Sequence, residues 1–88
     1  MITSRQSRAA RALLGWTQET LADKARISLT ALKRLESESG LDVYETTRDQ
    51  TRRALEAAGI VFLSTDRGQG VLLVDDRGKK PNQPVGLR

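Results

Sequence analysis

The sequence predicts a mainly α-helical domain of about four helices followed by a C-terminal β-hairpin. Three observations support this fold class. Apolar residues recur at helical spacing in the first part of the chain, Ser and Thr stand where helices would begin, and two β-favouring runs follow residue 59. A chain of 88 residues forms one small domain that buries only a modest fraction of its surface. Its stability is therefore expected to be marginal or shared with a partner.

The first helix is predicted to lie between a capping box and a glycine. Thr3 followed three residues later by Gln6 has capping-box spacing, and strong helix formers continue to Leu14. Gly15 comes next, and glycine readily takes the positive φ that ends a helix.

Residues 17–37 are predicted to form two short helices joined by a tight turn. Thr17 caps the first of these helices, which ends near Ala25, and Ser28 caps the second after a turn at Arg26. Two helices joined in this way, with basic residues on the outer face of the second, are typical of a motif that places its second helix in a DNA groove.

The second of these helices separates apolar from polar side chains, since successive residues are about 100° apart. Leu32 and Leu35 face inward. The outward set, which we take as the candidate reading surface of a recognition helix at residues 28–37, is Thr30, Lys33, Arg34 and Ser37.

A loop and a fourth helix are predicted to follow. Residues 37–45 carry the loop signals Ser, Gly and Asp. Three residues of this stretch are expected to pack back onto the core: Leu41, Val43 and Tyr44. A second capping box, Thr47 with Gln50, is predicted to open the fourth helix, which Gly59 closes.

Residues 59–75 are predicted to form the hairpin, with strands at 60–63 and 71–74. Both runs are apolar at consecutive positions, which predicts strands covered on both faces. One face can lie on the helices, and we expect the hairpin of a second copy to cover the other, because an isolated two-stranded sheet is marginal in water. The expected dimer interface contains Ile60, Val61, Phe62, Leu63, Val71, Leu72 and Leu73. The alternative is a strand pair folded over the protein's own helices with a few apolar residues left exposed.

Composition excludes several function classes. The chain has no Cys and no His, which removes disulfides, thiol and imidazole nucleophiles and the usual transition-metal ligands. No acid pair, nucleophile with a base, or phosphate-binding loop is evident, so we expect no enzyme, no cofactor and no metal site. The polar N-terminus and the lack of a long apolar run predict a cytoplasmic protein without a membrane segment.

The net charge of +4 is unevenly distributed. Residues 1–39 and 76–88 carry an excess of Lys and Arg, whereas residues 40–75 carry an excess of acids. A protein with one basic side and one acidic side is suited to binding the phosphates of a nucleic acid with its basic side. Residues 1–75 are expected to form the domain, and the basic segment at 76–88, with its Pro and Gly, a disordered tail.

The middle of the chain resembles the helix-turn-helix of the lambda-repressor-like family of bacterial and phage regulators, also called the xenobiotic-response-element family. The resemblance spans residues 5–58 and is most specific in the middle. The matching positions are Arg11, Gly15-Trp16-Thr17-Gln18, Leu21-Ala22, Ala25, Ile27-Ser28, Leu32 and Leu35-Glu36.

The resemblance implies roles for individual residues. Gln18 stands where the family has a glutamine that meets DNA phosphate at the start of the first motif helix. Base contacts are usual at the start of the recognition helix, and a base or phosphate contact is usual at the position of Arg34. The implied DNA-binding residues are Gln18, Ser28, Leu29, Thr30, Lys33 and Arg34. Candidate phosphate contacts are Thr17, Arg26 and Ser37. Arg11 and Glu36 match a pair that forms a buried salt bridge in some relatives.

The sequence also departs from the family pattern. Arg26 occupies a turn position that often holds Gly, so either it accepts a positive φ or the turn differs. Its guanidinium can reach phosphate there or stay solvated. Leu29 offers only apolar contact, such as to a thymine methyl. Few side chains can therefore hydrogen-bond to base edges, and DNA shape supplies part of any specificity. A hairpin replaces the family's usual fifth helix, so the dimer geometry of relatives does not transfer.

Two functions follow from these features. The first is a sequence-specific regulator that binds double-stranded DNA as a dimer, with two recognition helices in successive major grooves about 34 Å apart on an inverted repeat. The second is a protein-binding module, similar to an antiactivator or an antitoxin, that sequesters another regulator through Leu29, Ala31 and the hairpin.

Overall fold

A computed structural model describes residues 2–37 and 43–74, which form four helices and one antiparallel hairpin. The helices are α1 (Ser4–Leu14), α2 (Gln18–Ala25), α3 (Leu29–Glu36) and α4 (Glu45–Ala57), and the strands are β1 (Ile60–Thr65) and β2 (Gly68–Leu73). The predicted fold class, a mainly helical domain with a C-terminal hairpin, is confirmed. The predictions for Leu41 and for the tail at 76–88 lie outside the described residues.

Side-chain caps begin the first three helices where the sequence predicts them. The Oγ1 atom of Thr3 accepts from the backbone N–H of Gln6 at 3.1 Å, and the Gln6 side chain accepts from the N–H of Thr3, which completes the capping box. Thr17 and Ser28 cap α2 and α3 through the backbone N–H groups three residues later. Each cap satisfies a donor that the first helical turn leaves unpaired.

Two helices end in the left-handed conformation. Gly15 follows α1 with φ 71°, and Arg26 follows α2 with φ 60°. Of the two options that the sequence leaves open for Arg26, the structure has the positive φ. The backbone N–H of Ile27 then donates to the carbonyl of Ala22 at 3.0 Å and fixes the tight turn into α3.

The start of α4 differs from the prediction. The helix begins at Glu45 instead of after Thr47, and its N-cap residue, Tyr44, makes no side-chain capping bond. The Tyr44 carbonyl accepts from the N–H of Arg48, so Thr47 already lies within the first helical turn, and Glu45 places a negative charge near the positive helix end. Tyr44 is 83% exposed, so the prediction that it packs on the core is wrong, whereas Val43 is half-buried.

The core lies where the four helices and the hairpin meet. Its largest fully buried aliphatic side chains are Leu21, Leu32, Leu35 and Leu55, and they are joined by Ile2, which precedes α1, and Ile60, which begins β1. Trp16 packs partly buried against this cluster, and the ammonium group of Lys24 lies 5.4 Å from its ring centroid. Among the described residues, no helix is both long and apolar enough to cross a bilayer.

The hairpin is longer than the sequence predicts and has a shorter connection. β1 and β2 pair from Ile60 opposite Leu73 to Thr65 opposite Gly68, which leaves Asp66 and Arg67 as the turn. The prediction ended the strands where the apolar runs end. The ladder continues through polar residues because the pairing of backbone groups does not depend on side-chain polarity.

The two faces of the hairpin differ in burial. Phe62, Val71 and Leu73 pack with buried Ile60 against the core, and α1 lies against β2. The opposite face carries Val61, Leu63 and Leu72, which are 42%, 46% and 51% exposed, and we call it the outer hairpin face. Within residues 2–37 and 43–74, helices therefore cover one face of the hairpin, and the other face is exposed.

Candidate nucleic-acid interface

Helix α3 exposes a polar surface on the side away from the core. Leu32 and Leu35 are 0% and 1% exposed, so they fix the rotation of the helix. Positions 30, 33 and 34 therefore lie on the opposite side of the helix, at about 100° per residue. Thr30, Lys33 and Arg34 are exposed, and we call these three residues the α3 face.

Leu29, the first residue of α3, divides its surface between the core and solvent. It is half-buried and packs against the core cluster. Its remaining surface borders a cleft of about 230 Å³ between α2 and α3, whose other lining residues are Thr17, Gln18, Glu19 and Lys33. Leu29 therefore lies beside Lys33 at this cleft, with less apolar surface available than a fully exposed leucine has.

A larger cleft of about 530 Å³ lies between α3 and the start of α4. Its lining residues are Ser28, Thr30, Ala31, Arg34, Val43, Tyr44 and Thr47. Sequence reasoning missed Tyr44 as a surface residue of this cleft, because an aromatic side chain in a loop is ordinarily assigned to the core. The only available signal was its position next to the charged start of α4.

Arg11 and Glu36 form an ion pair inside the motif. The Nη2 atom of Arg11 lies 2.9 Å from Oε1 of Glu36, whose side chain is only 2% exposed. Ser7 Oγ donates to Glu36 Oε2 at 2.6 Å, and Gln18 Nε2 donates to Glu36 Oε1 at 3.0 Å. We call these four residues the Glu36 cluster. It joins α1, α2 and α3 through one carboxylate.

The electrostatics of the cluster favour an ionised Glu36. Burial raises the pKa of this carboxyl, but the hydrogen bonds from Arg11, Ser7 and Gln18 and the charge of Arg11 outweigh burial, so the pKa of Glu36 lies below its ordinary value. The guanidinium of Arg11 also donates to the Trp16 carbonyl at 3.2 Å, which ties the cluster to the segment between α1 and α2.

Gln18 has a structural partner that the sequence did not indicate. The resemblance assigns its side chain to DNA phosphate, whereas in the structure its amide nitrogen donates to Glu36. The amide retains a second N–H and its oxygen, so the bond to Glu36 orients the group without using all of its capacity. The sequence offered one indication of this contact, because Gln18 and Glu36 both belong to the set of positions that match the family.

The candidate phosphate contacts lie at the ends of the motif helices. Exposed Thr17 precedes α2, and its Oγ1 accepts from the N–H of Thr20 at 3.0 Å. Arg26 is exposed in the turn between α2 and α3, and half-buried Ser37 follows α3. All three residues lie outside α3 itself, as the N-cap of α2, the C-cap of α2 and the C-cap of α3.

Comparison with known proteins identifies the motif. Residues 8–41 match a family model described as helix-turn-helix, a match that covers less than half of the chain. Neither the curated proteins nor the solved structures contain a match to this chain. The matched segment runs from α1 through the Glu36 cluster and past the α3 face. Residues 8–41 are therefore similar to the helix-turn-helix family, in agreement with the resemblance that the sequence carries.

Proposed function

We propose that the protein is a sequence-specific transcriptional regulator that binds double-stranded DNA as a dimer, with the recognition helix at residues 28–37 in the major groove. The observation that carries this proposal is the exposure of Thr30, Lys33 and Arg34 on one side of α3, within the segment that matches the family. A regulator of this kind works where the DNA is, so we place it in the cytoplasm and assign it no catalytic step.

The α3 face supplies the base contacts in this proposal. Arg34 and Lys33 donate to the N7 and O6 acceptors of guanine, and the hydroxyl of Thr30 serves either as donor or as acceptor. Ser28 and the exposed part of Leu29 complete the surface at the helix start, with Leu29 against a thymine methyl. Because few groups read bases, we expect DNA shape to provide part of the discrimination.

A second set of residues holds the backbone of the DNA. Gln18 donates its free amide N–H to a phosphate while Glu36 holds the rest of the group, and Thr17, Arg26 and Ser37 provide further phosphate contacts in this proposal. Contacts of this kind fix the register of the recognition helix and carry no sequence information of their own.

The test is selection of a binding site from random duplexes, followed by affinity measurements at about 50 and 200 mM salt. We expect affinity to fall steeply with salt, and Arg34→Ala to reduce the preference for the selected site over an unrelated duplex about tenfold or more. Arg53→Ala is the matched control, because Arg53 is an exposed arginine on α4 that pairs with Asp49, away from α3.

Two results would contradict the proposal. One is the absence of salt-dependent binding to any duplex. The other is an equal loss of discrimination in Arg34→Ala and Arg53→Ala, which would show that α3 has no special role in reading the site.

A protein-binding module that sequesters another regulator is the second candidate. The sequence favours it through the apolar character of Leu29, Ala31 and the hairpin. Leu29 and Ala31 are half-buried, so they offer little apolar surface, whereas the outer hairpin face is exposed. Failure to bind DNA together with co-purification of a second regulator would favour this candidate over the first.

A further inference from the structure

We propose that the outer hairpin face binds the same face of a second copy of this chain, and that the contact is too small to hold a dimer in dilute solution, so that the dimer assembles on DNA. The inference rests on the proposed function for its DNA-dependent part. It narrows the dimer interface to Val61, Leu63 and Leu72, because Ile60, Phe62, Val71 and Leu73 pack on the chain's own core.

The outer hairpin face is apolar and partly exposed to solvent. Its three aliphatic side chains are each 42–51% exposed, although they alternate along the strands with residues of the core. Gly70, paired with Leu63, leaves a gap beside them, since a Cβ placed there meets no other atom within 4 Å. Among the described residues, the outward positions of both strands thus present an exposed apolar surface, which is unfavourable in water.

The outer hairpin face is compatible in charge with the same face of a second copy of this chain. Its outward residues carry no charge, so two copies related by a two-fold axis bury neither an unpaired charge nor a like-charge pair. The adjoining turn holds one acid and one base, Asp66 and Arg67, and therefore adds no net charge at the edge of the contact. A nucleic acid would instead require a basic face, as α3 has.

The outer hairpin face is small for a protein interface. Three half-exposed aliphatic side chains present on the order of 200 Å² per copy, against about 800 Å² per partner in a stable protein interface. The contact alone is therefore expected to be weak. Two copies on adjacent half-sites of an inverted repeat face each other at an effective concentration of about 1 mM, at which a weak contact forms.

The experiment has one arm without DNA and one arm with DNA. Sedimentation of the full chain is expected to show a monomer at about 10 μM and self-association near 1 mM, the range at which such weak contacts are populated. Binding to a single half-site is then compared with binding to the inverted repeat, on which we expect two copies to bind cooperatively.

The variant Leu72→Thr tests the face while keeping a residue that favours strands. We expect it to remain monomeric near 1 mM and to lose cooperativity on the inverted repeat by about tenfold, with affinity for one half-site unchanged. Leu13→Gln is the control, because Leu13 on α1 has a similar exposed fraction, 47%, and lies outside the hairpin. Thermal unfolding monitored by circular dichroism checks that both variants fold.

The outcomes separate the two proposals. Binding of both half-sites independently by the natural chain, a dimer at 10 μM without DNA, or equal effects of Leu72→Thr and Leu13→Gln would overturn this inference and leave the proposed function intact. Absence of half-site binding would overturn the proposed function, while self-association near 1 mM that Leu72→Thr abolishes would still support the contact. A monomer at 1 mM would remove the second copy as the occupant of this face.

Discussion

The two exposed faces of this protein, on α3 and on the hairpin, are supported in different ways. The helix that carries the α3 face is held by two buried leucines and by Glu36, whose carboxylate receives hydrogen bonds from α1 and α2. The hairpin is held by apolar packing and by the amide of Gln6, which donates to the carbonyls of Leu63 and Gly70 at 3.0 Å each. A polar network therefore fixes the helix that carries the α3 face, whereas apolar packing and the side chains of Thr3 and Gln6 hold the hairpin.

The largest effect is expected from breaking the Glu36 cluster. Glu36→Gln leaves Arg11 without its buried partner and removes the charge that Ser7 and Gln18 solvate, so we expect a loss of about 3–5 kcal/mol in the free energy of unfolding. Urea denaturation measures it. Glu56→Gln is the control, because its solvent-screened pair with Arg52 is expected to contribute little to stability. Similar losses in the two variants would contradict the importance of the cluster.

The same cluster predicts how stability depends on pH. The folded-state pKa of Glu36 lies below its ordinary value of 4.5, so its ionised form stabilises the fold above pH 4.5, and that contribution is lost as the pH falls through the folded-state pKa. The hydrogen bond from Arg52 lowers the pKa of Asp49 and adds a dependence of the same sign. Thermal melts from pH 7 to about pH 2 should therefore show a smaller loss of stability in Glu36→Gln than in the natural chain. An unchanged difference between the two proteins over this range would refute the prediction.

A smaller loss of stability is expected from a substitution at Gln6, whose side chain binds the hairpin. Gln6→Glu keeps the acceptor of the capping box but removes the donor that binds the hairpin carbonyls, and it places a charge in a site that is only 4% exposed. We expect a loss of about 1–3 kcal/mol, with faster amide exchange in β2 than in α2. Gln50→Glu is the comparison variant, because it removes a similar bond from a glutamine side chain to a carbonyl, that of Ala25 at 3.4 Å, away from the hairpin. Equal acceleration in both elements would indicate that the hairpin does not loosen separately.

The smallest effect is expected at Arg26. Its φ of 60° is costly for any side chain with a Cβ, so Arg26→Gly is expected to stabilise the fold by up to about 1 kcal/mol. If the guanidinium binds phosphate as proposed, the same variant weakens binding to all duplexes alike and lowers the salt dependence by about one unit of slope. Stabilisation without a change in the salt slope would assign Arg26 to the turn alone.

The sequence allowed much of the fold to be predicted because its signals are local. The caps at Thr3, Thr17 and Ser28 and the end at Gly15 depend on nearby backbone groups, and the inward face of α3 follows from helical spacing. The start of α4 was misplaced because Tyr44 has no capping side chain, so no local signal marks it. The strand ends were misplaced because polar residues continue the ladder.

The candidate site was harder to predict because its supports are long-range contacts. The exposed set Thr30, Lys33 and Arg34 follows from periodicity, and the pairing of Arg11 with Glu36 came only from the family resemblance. The bond from Gln18 to Glu36 and the division of the hairpin into a buried and an open face depend on how distant segments meet, which local patterns do not specify.

In the proposed function, α3 carries anchoring residues and base-reading residues at separate positions, which affects how the protein can change its target. Leu32, Leu35 and Glu36 hold the helix in place, whereas Thr30, Lys33 and Arg34 face solvent. A library of substitutions at these three exposed positions would be expected to yield folded proteins with different preferred operators. New specificity is therefore accessible in small steps, without rebuilding the domain that carries it.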